Sequence, residues 1–529
     1  MLIRHILEGA LAQHGDQEVV YRDQTRMTYA QLGERVHRLS SALSGLGVVP
    51  GTVVAMLDWD SHRYLEGYFA VPMMGAVLQT VNLRLSSEQL IHCLAGSEAE
   101  VILVHRDFAG AIEHLLDRLP MVRVVVVIAD GQDMPAGRHD YEAMLAAAAP
   151  AFPFEDFDEN ALATTFHTTG TTGLPKAVSF SHRQIVLQAL ALMATLAAQP
   201  DGQALRRDSV YMPLTPMFHV HAWGVPFVAT MLGVKHVYPG RYDPRLILQL
   251  QRQERVSFSH CVPTVLQMIL EAAQAGQQSI LGPWAMVIGG SVLTSSLRRA
   301  AEAAGITAFA GYGMSETGPA TCIARTSGTS AEVDVDLRRA GYPLPLVQTA
   351  IIDDSMRQLP WDGASAGELV VRSPWLTASY AGDEAASQAL WTGGWLHTQD
   401  LATIDAHGAV TIQDRIKDVI KTGGEWVVPS DLEELLLLHP SVGEAAVIAI
   451  PDDRWGERPF AFVVSTAGER DASTLRMHLS TFVDSGRLTR MALPEGFAFL
   501  TSLPRTSVGK IDKRGLRATF DNDGSQATT

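Results

Sequence analysis

Thr168-Thr169-Gly170-Thr171-Thr172-Gly173-Leu174-Pro175-Lys176 is the stretch from which the rest of the chain can be read. Four hydroxyls, two glycines and a lysine fall within nine residues, after a run at 161–166 with the β-branched and aromatic character of a strand. Glycines let backbone N–H groups approach an anion, and hydroxyls with an ammonium complete a cradle for phosphate oxygens. No Gly-Lys-Ser/Thr follows the first glycine at the Walker spacing, so this is not a P-loop of that kind. Taken alone, the run also reads as a threonine-rich turn before a strand.

Outward from this loop, short β-branched runs alternate with helical stretches. Segments 53–57, 101–104, 122–128 and 285–288 read as buried strands, and 29–46, 86–95, 183–196 and 294–304 as helices. Such alternation predicts parallel sheets in a layered α/β fold. After about residue 340, Gly, Pro and Asp punctuate short strands at 348–352, 367–371 and 410–412, which predicts a smaller β-rich subdomain. From about Lys417 the pattern starts afresh with a helix at 430–439 and strands at 444–450 and 459–464, a small α+β domain. The expected division is therefore 1–414 for a large N-terminal domain and 415–529 for a small mobile one, with a hinge near Lys417 in the charged run Asp414-Arg415-Ile416-Lys417-Asp418.

The 529 residues carry 41 Lys and Arg against 57 Asp and Glu, a formal charge of −16 with no long basic run, which argues against nucleic-acid binding. An anionic nucleotide then needs a local cluster of donors and cations. Cys93, Cys261 and Cys322 are too scattered for a disulfide framework or a four-cysteine zinc site, which fits a reducing compartment. The first fifteen residues mix apolar and charged side chains at helical spacing and do not read as a signal peptide. The most apolar stretches, 67–81 and 220–234, fall short of the ~20 residues a membrane helix needs. A cytoplasmic protein with no transmembrane segment is expected.

Further motifs follow the loop in order. Gly311-Tyr312-Gly313-Met314-Ser315-Glu316-Thr317 gathers a ring that could stack on adenine and a carboxylate that could ligate Mg²⁺ between phosphates, although a glycine turn with a helix cap at Ser315 fits equally. Trp395-Leu396-His397-Thr398-Gln399-Asp400 offers Asp400 to ribose hydroxyls. Lys421-Thr422-Gly423-Gly424-Glu425-Trp426 and Pro504-Arg505-Thr506-Ser507-Val508-Gly509-Lys510 complete the series.

In this order the motifs resemble the acyl-adenylate-forming superfamily of acyl-CoA synthetases, peptide-synthetase adenylation domains and luciferases, over essentially the whole chain. The segment 216–240 and the Lys421–Trp426 run look most like bacterial medium- and long-chain fatty acyl-CoA synthetases. The resemblance implies an AMP-forming acid–thiol ligase that uses ATP, Mg²⁺ and coenzyme A to convert a hydrophobic carboxylic acid into its CoA thioester through an acyl-adenylate. It implies that Thr168, Thr169, Gly170, Thr171, Thr172, Gly173 and Lys176 hold the β- and γ-phosphates, and that Glu316 and Thr171 ligate Mg²⁺. Gly290, Gly311, Tyr312, Gly313 and Ser315 would border the nucleotide, and Asp400 and Arg415 would hold its ribose. Lys510 would bridge the acid's carboxylate and the α-phosphate, where an ammonium can screen two anions that must meet head on. Rotation about Lys417 would then exchange Lys510 for Lys421, Gly423, Gly424 and Trp426, so that one site runs two reactions.

By the same likeness His219 packs near the carboxylate, while Val220, Trp223 and Gly289 line the acyl pocket, with Trp223 as wall or gate. Glycines at 289, 290, 311 and 313 are expected to leave room beside the backbone for the acid. Relatives of the fatty acyl type are often homodimers through the large domain. The chain departs from the pattern at Ala177, where glycine is usual, at Gln399, which replaces the glycine of Thr-Gly-Asp, at His221, and in the segment 484–490. These departures leave an alternative: a specialised ligase for a bulky acid, delivering to coenzyme A or a carrier protein, with a weakened adenylation half-reaction.

Overall fold

In a computed structural model, residues 1–168, 174–277, 280–325, 339–423, 425–466, 470–505 and 511–523 are described. The chain divides into two units by internal contacts: Met1–Thr349 with Val371–Leu396, and Ala350–Val370 with His397–Thr529.

The first unit is built on two sheets flanked by helices. One runs in the order His139–Asp140, Val124–Ile128, Val101–His105, Val53–Leu57, Val77–Thr80, Leu162–His167, Ala177–Ser181. Its neighbours are parallel except for the last pair, an antiparallel hairpin in which His167 faces Ala177. The continuous Val/Ile/Leu runs at 53–57, 101–105 and 124–128 are what a parallel sheet buried on both faces requires. The second sheet carries, in order, Ile306–Tyr312, Trp284–Ile288, Phe258–Cys261, Val210–Pro213, Lys235–Tyr238 and Glu18–Tyr21, all parallel, and is extended antiparallel by Thr25–Thr28 beyond Glu18–Tyr21. The expected strands and helices recur within one or two residues; the helix read at 183–196 is His182–Ala197, capped by the Ser181 hydroxyl accepting the Gln184 N–H. No helix among the described residues is long and apolar enough to cross a membrane.

The link between Val210–Pro213 and the next helix takes an unusual path. Val220, His221, Ala222 and Trp223 all have positive φ, 46°, 54°, 47° and 57°, followed by Gly224 at 70°. Four consecutive L-residues thus form a left-handed turn, at about 1–2 kcal/mol per residue. Side chains on the sheet and helices beneath hold it there. The Asp60 carboxylate accepts the Met217 N–H at 2.7 Å, the Tyr68 hydroxyl donates to the Met217 carbonyl, and the Thr80 hydroxyl donates to the Phe218 carbonyl at 2.8 Å. Thr164 donates to the Leu78 carbonyl at 2.9 Å, so its oxygen is left to accept from His221 Nε2, 2.7 Å away. Val220, His221 and Ala222 are buried, which anchors the turn further.

The second unit holds the hairpin Leu396–Ile404 and Val410–Arg415, in which Asp400 pairs with Arg415. Beyond it lies a five-stranded sheet of Glu425–Val427, Ile420–Thr422, Gly456–Ser465 and Val442–Asp452, with Phe497–Leu500 parallel to Gly456–Ser465. Pro429–Leu437 and Ala472–Asp484 bury Leu432, Leu435, Leu436, Leu475 and Leu479 in one core on this sheet. The fold is thus the predicted mixture: a large α/β body, and a smaller α+β part at the C-terminal end.

Burial, reinforced by Asp58, raises the Asp60 carboxyl to about 8 against the opposing pull of the Met217 N–H. Its folded value lies above its unfolded one, so the folded state binds the extra proton and stability falls as pH rises towards 8. Asp60 keeps some solvent access, which screens part of the cost, so denaturant titration is expected to show a loss of about 1–2 kcal/mol between pH 6 and pH 9. Asp60→Asn retains an acceptor for Met217 and should flatten that slope.

Candidate active site

The phosphate-type loop is the connection of the Leu162–His167/Ala177–Ser181 hairpin, and its two ends are clasped. Thr168 N–H donates to the Lys176 carbonyl at 2.8 Å, and the Lys176 N–H reaches the Thr168 hydroxyl at 3.4 Å. Thr169, Gly170, Thr171, Thr172 and Gly173, between these ends, lie outside the described residues. The Ala177 side chain is buried where the hairpin closes.

Glu316 sits in a single 3₁₀ turn, Ser315–Thr317, which Thr317 fixes by accepting the Met314 N–H at 3.0 Å. Ser315 is thus the first residue of the turn and not its cap. The Glu316 carboxylate is buried, and Oε1 accepts a 2.6 Å hydrogen bond from the Tyr380 hydroxyl. The face of the same Tyr380 ring lies 4.8 Å from the Lys176 ammonium, which also pairs with Asp383 at 3.2 Å. Lys176 and Glu316 are therefore linked through one tyrosine. Sequence reasoning missed Tyr380 and Asp383; the only sign was the turn-forming run Tyr380-Ala381-Gly382-Asp383.

The segment carrying them is tied down locally. Val178 bridges Tyr380, Ala381 N–H donates to the Ala177 carbonyl at 3.0 Å, and Thr377 N–H donates to the Glu316 carbonyl at 3.0 Å. Asp383 caps the helix Glu384–Leu390 through Ala386 N–H, and this bond, with Lys176, holds its carboxyl below the usual carboxylate range.

On the other side of the strand ends, Trp223 covers Gly289. A Cβ at 289 would lie 3.0 Å from the indole and 2.9 Å from the Gly311 carbonyl. At 311 it would meet Val287 at 2.8 Å, and at 313 the Pro319 carbonyl at 2.5 Å. The expected open space beside these three glycines is thus filled by the protein itself: glycine is needed for close backbone and ring packing. Gly290 has φ of 81° and is exposed, while Tyr312 is half-buried. Trp223 also leans on His260, ring centres 5.2 Å apart, and Val220 is buried beneath the turn; His219 is half-buried. Burial pushes His221 and His260 each down to about 3, so both rings are neutral.

In the second unit Asp400 is buried and pairs with Arg415 Nε at 2.8 Å. Gln399 adopts φ of 58°, the backbone a glycine takes without cost, and its side chain is exposed. Lys417 is exposed at the surface, yet desolvation by the surrounding protein holds its ammonium below the ordinary lysine value. Lys421 and Trp426 face each other across a hairpin, both exposed, with the ammonium 5.3 Å from the indole. Gly423 has φ of 59°; Gly424 and Lys510 lie outside the described residues.

An AMP-binding enzyme profile matches residues 7–381, and its C-terminal domain profile matches 431–510. The chain belongs to the AMP-binding enzyme family. This AMP-binding enzyme is 39% identical to a long-chain-fatty-acid–CoA ligase of Thermus thermophilus, over 98% of this chain and 95% of the relative. It is 34% identical to a medium-chain-fatty-acid–CoA ligase of Ectopseudomonas oleovorans, over 98% and 96%. The crystal structure of the anthranilate CoA ligase AuaEII with anthranoyl-AMP shares its fold, with a TM-score of 0.86, 24% identity and coverage of 98% and 97%.

Thr164→Val leaves the buried His221 Nε2–H without the Thr164 oxygen it donates to. It is expected to cost about 1–3 kcal/mol, read as a lower unfolding midpoint.

Proposed function

We propose that this chain, an AMP-forming acid–CoA ligase, acts on a medium- or long-chain fatty acid or a similarly hydrophobic acid. One observation carries the reading: the Thr168–Lys176 hairpin end and Glu316 are joined through Tyr380, in a chain 39% identical to a long-chain ligase. The apolar flank formed by Val220 and Trp223 supports the choice of acid.

Mg²⁺ fits this site. Glu316 would hold it through a hard carboxylate oxygen, Oε2, to which no hydrogen bond among the described residues is directed. When bound it neutralises charge on the phosphates. Lys176 and the hydroxyls of Thr168, Thr169, Thr171 and Thr172 orient the β- and γ-phosphates, with the backbone at Gly170 and Gly173 approaching them. Asp400 and Arg415 orient the ribose, and Tyr312 stacks on the base beside Gly290, Gly311, Gly313 and Ser315.

Lys510 screens the carboxylate as its oxygen attacks the α-phosphorus and pyrophosphate leaves. His219 borders the carboxylate, and Val220, Trp223 and Gly289 the chain behind it. The domain from 415 to 529 then turns about Lys417 and presents Lys421, Gly423, Gly424 and Trp426. The CoA sulfur attacks the acyl carbonyl, the C–O bond to AMP breaks, and the thiol proton passes to solvent. We further propose a cytoplasmic homodimer.

The test is incubation with ATP, Mg²⁺, coenzyme A and acids of graded length and bulk, with mass spectrometry of acyl-AMP and acyl-CoA. Acyl-CoA from linear hydrophobic acids is expected. Lys510→Ala should lower acyl-AMP formation about 10²–10³-fold and leave conversion of a supplied acyl-adenylate less affected. Acyl-CoA from short or charged acids alone would overturn the substrate class.

A further inference from the structure

Tyr380 touches both groups that the proposed function assigns to the triphosphate, and it does so with different parts of its side chain. The hydroxyl donates to Glu316 Oε1 at 2.6 Å, and the ring face receives the Lys176 ammonium at 4.8 Å. A carboxylate with one oxygen held by a phenol keeps its second oxygen in a fixed direction, which is how an outer hydrogen bond orients a metal ligand. A lysine on an aromatic face gains cation–π attraction while its stem loses rotamer freedom.

The tyrosine is itself fixed. Its backbone bridges Val178 in the strand that begins one residue after Lys176, and its N–H donates to the Ser387 hydroxyl at 3.0 Å. Two residues on either side extend the attachment. Thr377 N–H binds the Glu316 carbonyl, and the Thr377 hydroxyl donates to the Ser179 carbonyl at 3.3 Å. Asp383 meets the Lys176 ammonium from the start of the following helix. The segment 377–383 is thus laced at once to the hairpin that carries the lysine and to the turn that carries the carboxylate.

We propose that Tyr380 is a positioning residue that fixes the separation and direction of Glu316 and Lys176, so that Mg²⁺ and the terminal phosphates of ATP are bound as one unit. The proposal rests on the assignment of Glu316 and Lys176 to Mg·ATP made above. Removing the hydroxyl frees the Glu316 carboxylate to rotate and weakens the cation more than the nucleotide. Removing the ring as well takes the platform from Lys176 and weakens the nucleotide even when Mg²⁺ is saturating.

Calorimetric titration with a non-hydrolysable ATP analogue at graded Mg²⁺ separates these effects without turnover. Tyr380→Phe is expected to raise the Mg²⁺ concentration for half-maximal binding about 10-fold or more, as loss of an outer hydrogen bond to a metal ligand does. Affinity at saturating Mg²⁺ should change far less. Tyr380→Leu should add a several-fold loss at saturating Mg²⁺, and that loss should vanish in a Lys176→Met background. Thermal unfolding of each variant checks that the fold is kept, and Tyr380→Phe, which retains the ring, keeps the test available if Tyr380→Leu unfolds. An unchanged Mg²⁺ requirement in Tyr380→Phe, with wild type binding normally, overturns the positioning role. Absence of analogue binding by wild type at any Mg²⁺ concentration overturns the assignment of Glu316 and Lys176 instead.

Discussion

The placement of Trp223 in the large unit hangs on a left-handed turn that its own residues do not favour. Val220 to Trp223 hold positive φ, and a β-branched residue opens the run. Such a backbone persists only when its surroundings over-determine it. Here Asp60, Tyr68, Thr80 and Thr164, from four separate segments, take up the polar groups around 217–221, and Val220 and Ala222 are sunk in the core. The outcome is positional: Trp223 is delivered onto Gly289 and against His260. A right-handed turn over the same residues would send the indole elsewhere.

The polar half of the large unit uses the opposite strategy. The ends of its loop are clasped by the reciprocal Thr168 and Lys176 contacts, and the charged side chains beside Lys176 are cross-linked through Tyr380 and Asp383. Side-chain contacts drawn from distant segments thus set the geometry at the hairpin's end. An ammonium and a carboxylate gathered around one tyrosine suit a ligand that arrives with its own counter-charge, as a triphosphate does with its cation.

Much of this was legible from residue order. Unbroken aliphatic runs at 53–57 and 101–104 announced a parallel sheet because nothing polar interrupts either face, and the Thr/Gly/Lys run stood out for its density of hydroxyls and glycines beside a lysine. The resemblance grouped Asp400 with Arg415, but their cross-strand pairing was not legible, because its register depends on a bulge at Leu401/Ala402. Tyr380 was not legible: it meets Glu316 across 64 positions, and no local periodicity encodes a contact at that range. The left-handed turn was hidden for a different reason. Its sequence contains no glycine before Gly224, so local propensity points the other way and only tertiary contacts decide it. The glycines at 289, 311 and 313 were rightly singled out, but a missing side chain signals close approach without saying what approaches; here it is Trp223, Val287 and Pro319.

The histidines buried in the core of the large unit carry a consequence of their own. His221, His236 and His260 are each held near 3 by burial, far from any pH at which the enzyme would work. Three rings that titrate elsewhere in the physiological range are here electrically silent. Within this core they therefore add no charge that varies with proton concentration. Proton-dependent change in this region falls instead to Asp60, which accepts the Met217 N–H at the foot of the same turn and whose carboxyl burial raises to about 8.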